Sequence, residues 1–132
     1  MEGKIIVIVW DWCMGDRKVV AQELAKLFNA FSHPDRIRMV EELGRAECDV
    51  QGLSETLEIS SSRVSQHLAL FRSLRIVHER REGKHHFYSL VEPNVANWIL
   101  EGLRFTELGV IGSPTFDKAV EQALKVWGKN DE

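Results

Sequence analysis

Short polar side chains crowd the first turns of a helix predicted for residues 61–74. Val64, Leu68 and Phe71 recur at the spacing of one buried helical face. The exposed side of the same stretch then carries Ser61, Ser62, Arg63, Ser65 and Gln66, with His67 at its margin. Arginine matches the paired acceptors of guanine, glutamine matches the donor and acceptor of adenine, and short hydroxyls allow close approach to phosphates. These residue types predict hydrogen bonding to the edges of base pairs.

The serines also have a simpler interpretation, because serine is a common residue at helix N-termini. Its hydroxyl accepts a hydrogen bond from a backbone N–H that has no partner inside the helix. That explains Ser60, and it fits Ser61. Ser62 and Ser65 lie too far into the helix to act as caps, so we interpret their hydroxyls as contacts to nucleic acid.

Basic charge is concentrated in the same part of the chain. The 132 residues carry a formal net charge of −3, yet residues 60–90 hold six Lys/Arg against two Asp/Glu. The cations proposed to contact DNA phosphates are Arg72, Arg80, Arg81 and Lys84. Neutralised phosphates make DNA affinity fall as salt rises. The alternative is a solvated turn, which is the commoner role of such a cluster taken alone.

The surrounding elements are predicted from apolar spacing and from capping residues. We expect helices over 17–31, capped by Asp16, and over 34–44, with Pro34 first and Gly44 as the stop. A third helix starts after Asp49, and a hairpin with a four-residue loop at 81–84 follows the helix at 61–74. Two more helices open at Pro93 and near Pro114, the latter closed by Gly128.

This order predicts a mainly α fold with a small β-hairpin, namely a winged helix-turn-helix with flanking dimerisation helices. The domain spans 16–106, with the helix-turn-helix at about 49–74 and the wing at about 76–90. The C-terminal helix at 113–128 is expected to be a dimer contact. Residues 1–15 are expected to be an arm of unknown role: an edge strand, a dimer-contact arm, or an extension upstream of a natural start at Met14.

Three segments together resemble the ArsR/SmtB winged-helix repressors of bacteria. They are FSHPDRIRMVEEL at the second helix, LSETLEISSSRVSQHLALFRSLRIV across the helix-turn-helix, and RREGKHHFYSL at the wing. The resemblance is close over residues 27–90. It implies a homodimer built on the first and fifth helices, which binds double-stranded DNA and represses transcription until an inducer binds. The inducer, the operator, the target genes and the direction of regulation stay open.

The sequence departs from this family at the positions that bind metals in its metal-sensing members. A Cys-x-Cys at the start of the third helix would fall on Asp49 and Gln51, and an oxygen-based pair cannot replace two thiolates for a soft ion. A second family site, along the fifth helix, would need histidines, and residues 92–106 contain none. We therefore predict neither a metal site nor a cofactor.

Cys13 and Cys48 are the two cysteines of the chain. The resemblance implies one possibility, because some members bring an N-terminal arm to the third helix of the partner subunit. The two thiols would then form a redox switch whose reactivity depends on thiolate character. We favour the alternative, in which Cys48 is a small hydrophobic residue and Cys13 an incidental thiol.

Other classes of protein are disfavoured. The apolar run at residues 5–10 is shorter than a membrane span, and no secretory leader is evident, so a cytoplasmic protein without a membrane partner is expected. No nucleophile elbow, zinc-protease motif, phosphate loop or dinucleotide fingerprint is present, so we do not expect an enzyme. The competing function is a winged-helix module that binds another protein, without sequence-specific DNA binding.

Overall fold

The computed structural model describes residues 2–106 and 114–127, and for residues 2–15, 116, 124, 126 and 127 it describes the backbone alone. The chain divides into two compact units, Met1–Ser32 and His33–Glu132. The helices are α1 Glu2–Ala30, α2 Pro34–Arg45, α3 Val50–Leu57, α4 Ser61–Ser73, α5 Val95–Glu101 and α6 Pro114–Trp127, with a 3₁₀ turn at Gly102–Phe105. The strands are β1 Cys48–Asp49, β2 Val77–Glu82 and β3 His85–Leu90. No described helix is both long and apolar enough to cross a membrane.

The first unit is the single helix α1, which begins at Glu2 rather than at residue 17. The predicted cap at Asp16 is therefore wrong, and so is an edge strand near the N-terminus. No proline interrupts residues 2–30, and isoleucine and valine lower helix propensity only slightly, so the helix continues through the apolar segment. Its side chains Val19, Val20, Leu24 and Phe28 remain 44–56% exposed.

The core of the second unit is formed by α2, α3, α4 and the base of the sheet. Val64, Leu68 and Phe71, predicted to face inward, are all buried, and so are Val40, Leu43 and Leu53. Met39 on α2 is fully buried as well, whereas Ile37 on the same helix is only partly covered. Burial of these side chains supplies the main favourable free energy of folding, and it fixes which side of α4 is left exposed.

Local hydrogen bonds set the starts of three helices. His33 caps α2, its Nδ1 accepting from the N–H of Asp35 at 3.1 Å. Asp49 caps α3 through Oδ1 and the N–H of Gly52 at 2.7 Å, as predicted. Ser60 caps α4 through Oγ and the N–H of Arg63 at 3.2 Å. Capping of this kind satisfies backbone donors that have no partner inside the helix.

Gly44 does not stop α2, which continues to Arg45. A Cβ atom on Gly44 would lie 3.4 Å from Cβ of Ala96, on α5. The glycine therefore allows α2 and α5 to approach closely, and the prediction that it ends the helix is wrong. At the other end of the chain, α6 starts at Pro114 as expected, while Gly128, its predicted stop, lies outside the described residues.

The predicted hairpin is confirmed, with two differences. The sheet has three antiparallel strands in the order β1-β3-β2, because Cys48 and Asp49 pair with Tyr88 and Phe87. A two-residue strand is too short to leave a pattern in the sequence. The loop has two residues rather than four, since Glu82 already pairs with His85. Gly83 has φ +61° there, a conformation that glycine adopts at no steric cost.

Candidate nucleic-acid interface

The exposed side of α4 contains the polar residues selected from the sequence. Val64, Leu68 and Phe71 face the core, and a short turn separates α4 from α3. Glu58 ends α3 in the left-handed conformation, with φ 56°. The exposed residues at the start of α4 are Ser61, Ser62, Arg63, Ser65 and Gln66. The second helix of a helix-turn-helix meets bases with such N-terminal residues.

His67 does not belong to this exposed face. It is 8% exposed, and its Nδ1 accepts a hydrogen bond from Nε of Arg36 at 3.2 Å. Burial, and next the charge of Arg36, lower the pKa of His67, so that the imidazole is neutral at pH 7. The covered stripe of α4 is wider than residues 64, 68 and 71 alone, and His67 falls within it. We therefore remove it from the set of base-contacting residues.

Arg63 lies close to the start of α2. Its Nη1 is 3.9 Å from Oδ2 of Asp35, and its side chain is 60% exposed. An exposed ion pair at this distance contributes little to stability. The guanidinium is thus oriented by a neighbouring carboxylate yet remains accessible from outside.

The wing places its basic residues on two faces. Adjacent strand residues point to opposite sides of the sheet, and Glu79 contacts both Arg72 of α4 and His86. These contacts identify the Glu79 side as the one that meets α4. Arg81, two residues further along β2, lies on that same side and is exposed.

Arg80 lies on the opposite side of the sheet. Its guanidinium donates to Glu47 at 2.6 Å and to Glu82 at 2.8 Å, and it sits 4.8 Å from the centre of the Phe87 ring. The hydrogen bonds to the two carboxylates raise the pKa of Arg80, and the Arg80 bond lowers the pKa of Glu47. A phosphate contact by Arg80 would compete with two carboxylates, whereas Arg72 contacts Glu79 through Nη1 and its side chain is 60% exposed.

A groove of about 310 Å³ runs between α4 and the wing. It is lined by Ser65, Ala69, Arg72, Ser73 and Tyr88. The small side chains at 65, 69 and 73 recur every four residues, so they form one exposed stripe of α4. The groove thus continues the surface that begins at the serine-rich end of the helix and leads to the wing.

The sequence matches known bacterial regulators over this region. A family model described as bacterial regulatory protein, arsR family, matches residues 33–79. A biofilm growth-associated repressor of Agrobacterium fabrum is 37% identical over 79 residues, covering 60% of this chain and 68% of its own length. The chain belongs to the arsR family. A transcriptional repressor SmtB homolog of Synechocystis is 39% identical over 77 residues, and the match spans 58% of each chain.

The fold of this arsR-family chain is also found among solved structures. The homodimeric winged helix-turn-helix DNA-binding domain of a possible ArsR-family regulator from Mycobacterium bovis superposes with a TM-score of 0.63. The match covers 74% of this chain and 91% of that domain, at 17% sequence identity. The predicted winged helix-turn-helix is therefore confirmed.

Cys48 has the one thiol among the described residues, and its surroundings disfavour ionisation. Burial, followed by the charges of Glu42 and Asp49, raises the pKa of Cys48, which disfavours the nucleophilic thiolate. Its Sγ lies 3.3 Å from the carbonyl oxygen of Ala46. The side chain of Cys13 lies outside the described residues, so pairing of Cys13 with Cys48 stays a hypothesis.

Sequence reasoning missed the acidic partners of the basic residues. Asp35, Glu47 and Glu79 each contact an arginine proposed to bind DNA. Two of these contacts join residues more than 25 positions apart, so no local spacing could have revealed them. It also missed a cluster of His33, Asp35 and His67, although the His-Pro-Asp string was visible next to the predicted start of α2.

Proposed function

We propose that this arsR-family protein is a homodimeric transcriptional repressor that binds double-stranded DNA sequence-specifically and is released by an inducer. The observation that supports the proposal is the exposed polar face of α4, from which Arg63 would contact guanine and Gln66 would contact adenine. Ser61, Ser62 and Ser65 supply hydroxyls for phosphates or bases. The protein acts in the cytoplasm, where bacterial DNA is found, and has no catalytic role.

The wing adds contacts that do not depend on sequence. Arg81 and Lys84 are exposed near the tip of the hairpin and are the cations best placed for phosphates. Arg72 and Arg80 hold Glu79 and Glu47, so their first role is to position the wing. A phosphate contact from either residue would use guanidinium N–H groups that stay exposed beside these carboxylates, or would exchange a carboxylate for a phosphate.

Exposed apolar side chains support a dimer. Leu24 and Phe28 on α1, and Trp98 on α5, are 44–55% exposed. Covering such side chains in an interface removes apolar area from water, which favours association. A two-fold dimer would present two copies of α4 to successive major grooves, about 34 Å apart.

The test is selection of binding sites from a random duplex library by the purified full chain, at about 0.15 M salt, where non-specific contacts are already weakened. We expect enrichment of an inverted repeat with half-sites one helical turn apart. Failure to enrich any sequence with a folded dimer would overturn the proposal and favour the protein-interaction function. Enrichment of a single half-site would overturn the dimeric part alone.

A further inference from the structure

Three side chains with metal-binding chemistry meet where the start of α2 approaches α4. His33 is the cap of α2, Asp35 lies in its first turn, and His67 comes from the middle of α4. One possible ligand atom from each lies within 4.8 Å of the other two. Nδ1 of His33 is 3.8 Å from Oδ2 of Asp35, and the two imidazole rings have centres 5.1 Å apart.

His67 provides a second, independent sign of a ligand. His67 is more than nine-tenths buried, and its Nδ1 accepts a hydrogen bond from Arg36. Nε2 is buried too and has no hydrogen-bond partner among the described residues. Buried polar atoms nearly always have a partner, because leaving one without costs free energy. Contacts among the described residues therefore give no reason for burying Nε2 of His67.

We propose that His33, Asp35 and His67 together bind one divalent transition-metal ion of the Zn²⁺ class. Imidazole nitrogens and a carboxylate oxygen are ligands that suit zinc and its neighbours. Three protein ligands leave a position for water or for an external ligand. The site uses neither cysteine, and its residues differ from positions 49–51 and 92–106, which correspond to the metal sites of the metal-sensing family members.

The charges around the cluster set what the ion must displace. Arg36 donates to His67, and Arg63 lies 3.9 Å from the Asp35 carboxylate. Because Nδ1 of His67 accepts from Arg36, the neutral ring carries its proton on Nε2. An ion bound to Nε2 requires this proton to move to Nδ1, which breaks the Arg36 hydrogen bond, and an ion bound to Asp35 displaces Arg63. The bound ion therefore separates Arg63 from the Asp35 carboxylate that orients its guanidinium. This links the metal site to base recognition by Arg63. This link to DNA rests on the proposed function, whereas the metal site itself does not.

The experiment measures Zn²⁺ binding by the untagged full chain in competition with a chromogenic chelator. We expect one ion per chain for the wild type. Asp35→Asn removes the anionic ligand and keeps the shape, and His33→Asn removes one imidazole and keeps a good capping residue. Each should weaken Zn²⁺ binding by about tenfold or more, the range found for disturbed metal sites. Zn²⁺ should also raise the melting temperature of the wild type more than that of either variant.

Two matched controls separate this site from others. His85→Asn changes an exposed wing histidine, and Cys48→Ser removes the described thiol; both should bind Zn²⁺ as the wild type does. With Co²⁺ as a probe, the spectrum should lack the thiolate-to-metal charge-transfer band. Three results would each overturn the proposal. They are no Zn²⁺ binding by the wild type, wild-type affinity for Zn²⁺ in Asp35→Asn and His33→Asn, and loss of Zn²⁺ binding in Cys48→Ser. Because no DNA is present, this result is independent of the proposed function.

Discussion

At the scale of single residues, the proposed function gives Arg63 and Lys84 different roles in DNA binding. Arg63 lies on the exposed face of α4, and Lys84 lies in the two-residue turn of the wing. Arg63→Ala should weaken binding to the selected sequence by about 1–3 kcal/mol and relax the preference at one base position. Lys84→Ala should weaken all sequences about equally and reduce the salt dependence by about one phosphate contact.

The measurement is affinity for the selected sequence and for a scrambled duplex over a series of salt concentrations. Lys118→Ala, an exposed lysine of α6, is the control and should change neither affinity. If Arg63→Ala lost affinity equally for both duplexes, Arg63 would be a phosphate contact rather than a base contact.

Glu79 predicts a dependence of stability on pH at the same scale. A hydrogen bond with His86, and next the charge of Arg72, lower its pKa from the ordinary value of 4.5. The native state therefore holds the charged form more strongly than the unfolded state does. The stabilisation is complete above pH 4.5 and is lost as the pH falls below it.

We expect Glu79→Gln to flatten the decline of the free energy of unfolding on acidification below pH 4.5. Denaturant unfolding at a series of pH values measures this. Glu101→Gln, at an exposed position at the end of α5, serves as the control and should follow the wild type. If the free energy of unfolding of Glu79→Gln declined with falling pH in parallel with that of the wild type, the contacts of Glu79 would not contribute to the pH dependence of stability.

At the scale of the helix, we predict that Ser60 and Ser62 have separate roles, one in stability and one in DNA binding. The Ser60 hydroxyl caps α4 by accepting from the N–H of Arg63, whereas Ser62 is exposed at the second position of the helix. Ser60→Ala should lower the free energy of unfolding by about 1 kcal/mol. Ser62→Ala should leave stability nearly unchanged and weaken DNA binding instead. Chemical denaturation measures the stability of both variants, and DNA titration measures their affinity. A loss of stability in Ser62→Ala would contradict the prediction that Ser62 acts in DNA binding rather than in stability.

At the scale of the whole molecule, the exposed apolar residues of α1 predict that assembly depends on this helix. Leu24 is 44% exposed on the same side as Val20 and Phe28. Leu24→Glu should convert the proposed dimer to a monomer, because burying a carboxylate in an apolar interface is costly. Sedimentation measures the mass, and Lys18→Glu is a control on the same helix. A dimer that persists in Leu24→Glu would exclude this face from the interface.

Most of the second unit could be predicted, because its helices follow apolar spacing and its caps are recognisable residues. Asp49 and the core residues of α4 are examples. Features that depend on distant contacts could not be predicted: His67 is buried by Arg36 and its neighbours, and β1 exists only because β3 pairs with it. Gly44 was misjudged for the same reason, since its significance lies in Ala96, 52 positions away.

The strand order β1-β3-β2 leaves β2 at one edge of the sheet. An edge strand exposes backbone groups that can pair with a second molecule, and charged side chains discourage such pairing. β2 carries Glu79, Arg80, Arg81 and Glu82 in succession. The charges that we place against DNA phosphates thus also protect the wing from edge-to-edge aggregation. Wing variants made to weaken DNA binding should therefore be checked for solubility, since neutralising Arg81 would remove a proposed phosphate contact and one of the four charges on this edge.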